Sequence, residues 1–252
     1  MRVVLSALFW LYLAVSLALW WFAVVIPWLV LLPFDRRRVF SQWYAYTWAR
    51  HYNWLSPFWH IDVHGRDKVR RGRAYVLVAN HRSLGDIFVL FALRKHFKWV
   101  SKASVFKVPF LGWMMWMANY IGLVRNDTAS RRTMMDECRR QLDEGSSIMM
   151  FPEGTRSKTA SMRPFKLGAF RLACDTGVPV IPLVVVGSSD VLPRDTWVFD
   201  RINLHHVQLF VLDPVDPAAA DRDPAKLAEL VRTRMEAQLA AAAEDHAHVA
   251  TL

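Results

Sequence analysis

Apolar and polar positions divide this chain into three stretches. From Val3 to Phe34 there are 32 residues without one charged side chain. A straight helix of that length would reach about 48 Å, against roughly 30 Å of bilayer hydrocarbon. Pro27 falls inside the run and is expected to kink or break a helix there. Two arrangements fit: one long tilted span, or two shorter helices that enter a membrane and return. A cleaved signal peptide fits poorly, because the run is too long and no small-residue cleavage site follows it. Arg36, Arg37 and Arg38 follow at once, which places the downstream side on the cytoplasmic face. From Trp43 to Trp59 the chain is aromatic and mildly basic. It suits either a membrane–water interface or an amphipathic helix packed on the remainder.

Beyond residue 60 the apolar runs become short. Ile61–His64, Tyr75–Ala79, Trp99–Ser101, Tyr120–Val124, Ser146–Phe151, Val180–Val186 and His205–Leu212 read as strands, several of them buried on both faces. Between them lie helical stretches: Ile87–Leu93, Pro109–Asn119, Thr128–Leu142 and Leu167–Asp175. Thr128 or Ser130 is expected to cap the third, Gly145 to end it, and Gly177 to stop the fourth. Met114, Met115 and Met117 suit either ordinary core or an acyl-chain groove. Ser188–Asp200 reads as a polar loop. Pro224 to about Ala243 is helical, with Leu227, Leu230, Val231, Met235 and Leu239 on one face, and 244–252 is expected to fray. The division expected is a membrane-associated helical segment over 1–60 and a domain over 61–252 that ends in this helix. No internal repeat is visible.

Composition narrows the partners. The chain has 252 residues, is 54% apolar and carries a net charge of +10. Such a balance favours nucleic acid, an anionic membrane surface or phosphorylated substrates. Eight of the 12 tryptophans precede residue 60, at the membrane-like end, which counts against nucleic acid. Cys138 and Cys174 lack paired spacing, so neither a disulfide framework nor a zinc site is expected. His51, His60, His64, His205 and His206 show no ligand spacing either, and no metal or cofactor is expected.

Candidate chemistry collects where strands end. Asn80, His81, Arg82 and Ser83 follow the run Tyr75–Ala79, and Asp86 opens the next helix. In open α/β sheets ligands bind at such strand exits. A carboxylate on one imidazole nitrogen fixes the tautomer and leaves the other nitrogen free to act as a base. On its own the pair equally suits a turn in which Asp86 caps a helix beside a polar histidine. Arg125 sits at the exit of Tyr120–Val124, where it offers phosphate a bidentate partner or forms a surface ion pair. After Ser146–Phe151 comes Pro152-Glu153-Gly154-Thr155-Arg156-Ser157. Gly154 permits close approach of the backbone, Thr155 offers a hydroxyl, and Arg156 offers a fork of donors. Lys158, Arg163 and Lys166 add positive charge. The set suits an anionic, oxygen-rich group and has no P-loop spacing. Arg66, Lys68, Arg70, Arg71 and Arg73 form a further basic cluster, fit for anionic lipid or for a solvated loop.

Four blocks resemble the glycerolipid (lysophospholipid) acyltransferase family, and most of all the enzymes that act on 1-acyl-sn-glycerol-3-phosphate. They are NHRSLGD at 80–86, the segment from Lys102 through Pro109 and Gly112 to Arg125, FPEGTRS at 151–157, and VPVIPLVV at 178–185. The resemblance implies an α/β fold with a mixed, largely parallel sheet flanked by helices, behind an N-terminal membrane-inserted helical segment. It implies transfer of a fatty acyl group from acyl-CoA or acyl-carrier protein, as co-substrate, to the free hydroxyl of 1-acyl-sn-glycerol-3-phosphate, a lysophospholipid, giving phosphatidic acid at a membrane. His81 matches the catalytic base of the HxxxxD motif and Asp86 its partner. Arg125, Glu153, Gly154, Thr155 and Arg156 match positions that bind the acceptor's phosphate and glycerol, and Pro182 matches the fourth block. Leu84-Gly85 stands where many relatives carry bulkier residues, which leaves acceptor subtype open. Another lysophospholipid or a lyso-aminolipid remains an alternative acceptor, and a catalytically silent lipid-binding protein an alternative role.

Overall fold

The computed structural model describes residues 2–55, 59–157, 159, 161–199 and 205–249. Its strands are β1 (Trp59–His64), β2 (Val76–Ala79), β3 (Phe97–Lys102), β4 (Ile121–Leu123), β5 (Ser147–Met150), β6 (Val180–Val186) and β7 (His205–Val211). They form one seven-stranded sheet in the order β1-β7-β6-β2-β5-β3-β4. Neighbours run parallel except β6 and β7, which are antiparallel. The sheet is thus mixed and largely parallel, as expected. Its central strands β2, β5 and β6 are buried along their whole length, which their continuous apolar runs demand.

Eight α-helices are described: α1 (Arg2–Leu31), α2 (Val39–Leu55), α3 (Asp86–Phe91), α4 (Leu111–Met117), α5 (Thr128–Asp143), α6 (Gly168–Thr176), α7 (Ser188–Val191) and α8 (Pro224–Val249). The alternation of side chains along β2 explains their two layers. Leu77 and Ala79 pack with Trp48, Tyr52, Phe88 and Leu90 on the α2–α3 side. Val76 and Val78 pack with Cys138, Phe170, Leu227 and Val231 of α5, α6 and α8 on the other. Both cysteines are free and buried.

The N-terminal stretch forms one continuous helix of 30 residues with Pro27 inside it. Pro27 does not break it; only four residues remain before the end at Leu31, so little helix depends on the missing donor. After a turn α2 runs back along α1. The Tyr44 hydroxyl donates to the Trp20 carbonyl at 2.7 Å, and Tyr52 meets the Ser16 hydroxyl. Both ends of this pair are fastened to the sheet domain. Near the start of α1, Ser6 Oγ accepts the Phe199 amide at 3.0 Å and the Trp10 indole donates to the Trp197 carbonyl at 2.6 Å. Near its end the Trp28 indole donates to the Met117 carbonyl at 3.1 Å, and Arg37 donates to the Gly145 carbonyl. Fully buried Lys98 on β3 completes this anchor, donating to the carbonyls of Arg37 and Ala118 at 2.7 Å each.

Other expectations need correction. Asp127, and not Thr128 or Ser130, caps α5, its carboxylate accepting the amides of Ala129 and Ser130 at 2.8 and 3.1 Å. Helix α4 begins at Leu111 and not at Pro109, because Phe110 adopts φ 59° and Gly112 lies against the Phe106 carbonyl. Met115 and Met117 are buried there as core. The stretch read as a polar loop from Ser188 begins with α7 and brings Phe199 into the core beside Phe9, while Asp200 lies outside the described residues. The terminal helix continues to Val249, past the expected fraying point. Trp48 and Trp59 are buried, whereas Trp43 and Trp54 are exposed, so the aromatic stretch serves both packing and surface.

Candidate active site

Parallel strands deliver their C-terminal ends to one edge of the sheet. That edge gathers the loops after β2, β5, β3 and β4, and the residues after β6 join them. Two tight ties set the loop after β2. Asn80 exchanges a pair of hydrogen bonds with the Val185 backbone on β6, donating to its carbonyl at 2.9 Å and accepting its amide at 2.8 Å. Ser83 donates to the Leu192 carbonyl at 2.7 Å and accepts the Gly85 amide at 3.0 Å. Asn80 and Ser83 are both buried.

His81 and Asp86 meet within this frame. The imidazole Nδ1 lies 2.8 Å from Asp86 Oδ2, and the same oxygen accepts the amides of Arg82 and Ser83 at 2.8 and 3.0 Å. The remaining oxygen, Oδ1, accepts the Ser188 hydroxyl at 2.5 Å. Asp86 is fully buried, while the His81 side chain keeps 16% exposure toward the sheet edge. A carboxylate acceptor at Nδ1 assigns the proton to that nitrogen and leaves Nε2 with its lone pair. The ring stacks on Phe151, with centroids 3.9 Å apart and planes 13° apart, and Phe151 stacks in turn on Trp99. The imidazole is therefore fixed in plane, tautomer and direction.

The loop after β5 is bonded to this unit. Glu153 Oε1 accepts the His81 amide at 2.8 Å, Oε2 accepts the Arg163 amide at 3.0 Å, and the Ser157 amide donates to the His81 carbonyl at 2.7 Å. Burial raises the Glu153 carboxyl above its ordinary value, against the lowering effect of the two amides. Both oxygens are occupied and the residue is only 3% exposed, so Glu153 ties two loops together at this site.

The remaining residues form a cationic rim. Gly154 has φ 71°, and a side chain there would collide with Lys166, whose ammonium lies over the loop. Lys166 appeared in the sequence only as added charge; the glycine opposite it was the available clue. Thr155 and Arg156 are half-buried, and Arg156 donates to the Arg194 carbonyl at 2.7 Å, keeping its other donors. Arg125 is exposed two residues beyond β4. Since β4 lies three places from β2, about 14 Å of sheet separates the strand carrying His81 from the one carrying Arg125. Lys102, at the end of β3, is exposed between them. Lys158 lies outside the described residues. No cluster of His, Cys, Asp and Glu suited to a metal ion occurs among the described residues. Ser188 and Phe151 were not singled out from the sequence, and Asn80 was named there without a role.

Such an arrangement supplies a general base backed by a buried carboxylate, beside cations suited to a phosphate. The acyltransferase family model matches residues 60–186. A chloroplastic 1-acyl-sn-glycerol-3-phosphate acyltransferase of Brassica napus is 35% identical over 75% of this chain and 55% of its own length. A 1-acyl-sn-glycerol-3-phosphate acyltransferase of Haemophilus influenzae is 30% identical over 76% of this chain and 80% of its own length. The chain spans about half the length of the plant and algal relatives it matches, between 49% and 55% of them. Among solved structures, the 1-acyl-sn-glycerophosphate acyltransferase PlsC of Thermotoga maritima superposes with a TM-score of 0.71 at 25% identity, covering 95% of this chain and 96% of that one.

Proposed function

The chain belongs to the acyltransferase family, and from that footing we propose that it moves a fatty acyl group from an acyl thioester to the free hydroxyl of 1-acyl-sn-glycerol-3-phosphate, forming phosphatidic acid. The observation that carries the reading is the His81–Asp86 pair, with Nδ1 committed to a buried carboxylate and the ring still partly exposed. A thioester is already activated, so direct attack by the acceptor hydroxyl needs no covalent enzyme intermediate. His81 Nε2 takes the hydroxyl proton as the new C–O bond forms, and Asp86 stabilises the resulting imidazolium. The C–S bond then breaks, and the proton passes from Nε2 to the departing thiolate. General-base help of this kind contributes roughly 10²–10⁴ in rate. Arg156, with Gly154 and Thr155 beside it, holds the acceptor's phosphate, and Arg125 serves from the far rim. Fixing the phosphate orients the hydroxyl against the thioester, an entropic contribution. Acyl-CoA and acyl-carrier protein are the donors to compare.

The substrates are lipids, and the surface suits a membrane. Helix α1 is long and apolar enough to cross one by length and composition, with 22% of its apolar window buried. Its exposed side presents Leu8, Leu11, Val15, Leu19, Phe22 and Ile26, and Trp113 and Trp116 of α4 are exposed as well. Because both ends of α1 are bonded to the sheet domain, we read it as lying along one leaflet, with the domain on the cytoplasmic face.

The test is acyl transfer in isolated membranes with labelled oleoyl- or palmitoyl-CoA, and with the carrier-protein thioester in parallel. Lysophosphatidic acid and other lysophospholipids serve as acceptors, and His81→Ala is compared with wild type. Histidine-dependent phosphatidic acid formation selective for lysophosphatidic acid supports the proposal. Selectivity for another acceptor moves the assignment to that lipid, and no transfer from either donor by folded protein refutes it.

A further inference from the structure

The proposed chemistry asks Asp86 to stabilise a cation that exists only while His81 carries the acceptor's proton. Three donors, His81 Nδ1 and the amides of Arg82 and Ser83, share one oxygen of this carboxylate. The other oxygen has a single partner among the described residues, the Ser188 hydroxyl at 2.5 Å. Ser188 lies 102 residues further along the chain, at the start of α7 just past β6. It is 4% exposed, and Asp86 is fully buried.

The surrounding structure is built to hold Ser188 there. Asn80 bolts the end of β2 to Val185, three residues before the serine. Gly187 then turns the chain with φ 84°, in a place where any side chain would meet the His206 carbonyl at 2.9 Å. That tight turn at the end of β6 starts α7 and aims the hydroxyl back at Asp86.

We propose that Ser188 is a positioning residue for the catalytic pair, acting through Asp86 Oδ1. The inference rests on the acyl-transfer reading of the site. Donating to Oδ1 fixes the carboxylate plane, so that Oδ2 lies in line with His81 Nδ1. It also adds a donor to the carboxylate charge in a place closed by packing. In the transition state Asp86 faces an imidazolium, and its stabilising effect depends on that alignment. The loss therefore falls on the transition state and leaves substrate binding alone.

The sharpest comparison is Ser188→Thr against Ser188→Val, because the two side chains fill the same volume and differ by the hydroxyl. Alanine is less clean: Ser188 and Gly85 border an apolar cavity of about 20 Å³, where a water would be able to take the hydroxyl's place. Ser188→Val is expected to lower kcat about 10- to 100-fold, the range of a lost hydrogen bond to a charged group, with both KM values within about threefold. Ser188→Thr is expected to stay within about threefold of wild type in kcat. Adding Ser188→Val to Asp86→Asn is expected to change kcat little further, because the serine acts through that carboxylate. Equal kcat for Thr and Val, a loss confined to either KM, or full additivity with Asp86→Asn would overturn the proposal. If neither β-branched variant folds, Ser188→Ala decides by the same split of kcat against KM. Wild-type transfer measured alongside separates failure of this inference from failure of the acyl-transfer reading.

Discussion

Replacing Glu153 by glutamine separates two roles that the sequence alone leaves together. Family resemblance assigns Glu153 to the acceptor, yet its two oxygens accept the amides of His81 and Arg163 at 2.8 and 3.0 Å in a site only 3% exposed. Glutamine is nearly isosteric but has one acceptor and one donor. Either orientation leaves one amide facing an NH₂ group. Losing a charge-assisted bond removes about 1.5–3 kcal/mol, and the stranded amide adds a further 1–3 kcal/mol, so the site loses roughly 2.5–6 kcal/mol. For a domain of this size that corresponds to a fall in Tm of roughly 5–24 °C. The His81 backbone is one of the two amides, so the base also loses its setting, and kcat is expected to fall at least about tenfold through that misplacement. The assay measures initial rates at varied acceptor and varied donor, with thermal unfolding in detergent beside it. A raised acceptor KM with kcat and Tm unchanged would refute this reasoning and return Glu153 to the substrate.

Further outcomes concern the N-terminal layer. Burial pushes the Lys98 ammonium down to about 7 from 10.5, and opposing contributions come from Asp35, which raises it, and Arg38 and Arg37, which lower it. Between those values the unfolded chain binds more protons than the folded one, so this lysine makes stability rise with pH across that window, by at most about 1.4 kcal/mol per pH unit. Below 7 its unfavourable contribution is complete. Lys98→Met should flatten the slope of Tm against pH; an unchanged slope would show that the lysine does not titrate there. For α1, single cysteines at positions 2 and 40 are expected to label from the same side of sealed vesicles, since both ends of the helix are tied to one domain. Labelling from opposite sides would establish a span.

Much of this architecture was readable because it depends on local pattern. The run Val180–Val186 matches β6 residue for residue, since glycine and proline bracket an unbroken apolar stretch. Pro182 survives in that strand because its nitrogen side faces the stretch just past the end of β7: Leu212 donates to the Pro182 carbonyl and Val215 bridges Val180. His81 and Asp86 were legible together, five residues apart. Ser188 was not, since only the placement of β6 beside β2 brings it to Asp86. Glu153 was found but the bonds it makes were not, because the amides it accepts belong to residues 81 and 163. The docking of α1 was hidden by a helix apolar on all sides, which shows no packing face. Ser6 and Ser16 were the clue: two small polar residues in that run, both buried against neighbours.

The two halves of the site differ in how firmly they are held, and that difference allots them different work. Around His81 the bonds converge from the ends of three strands: Asn80 to β6, Glu153 from the loop after β5, and Ser188 to Asp86. Proton transfer tolerates little displacement, and a base on a fixed ring in a fixed tautomer meets that demand. The rim is made otherwise. Arg125, Lys102 and Lys166 are long, exposed cations, and among the described residues Arg156 is held by a guanidinium contact to the Arg194 carbonyl. Long cations accommodate a phosphate from several directions, and surface charge is screened at short range, so the rim selects by charge more than by fit. Changes of acceptor preference within this fold therefore fall naturally on the rim. Changes in turnover fall on the buried network, where each donor has one place to go. On the proposed reading, the apolar side of α1, with Trp113 and Trp116 of α4 exposed beside it, lets the domain stay fixed while a lipid enters from a membrane. A rigid base and a forgiving rim are what the proposed reaction needs when the acceptor keeps its tails in a bilayer.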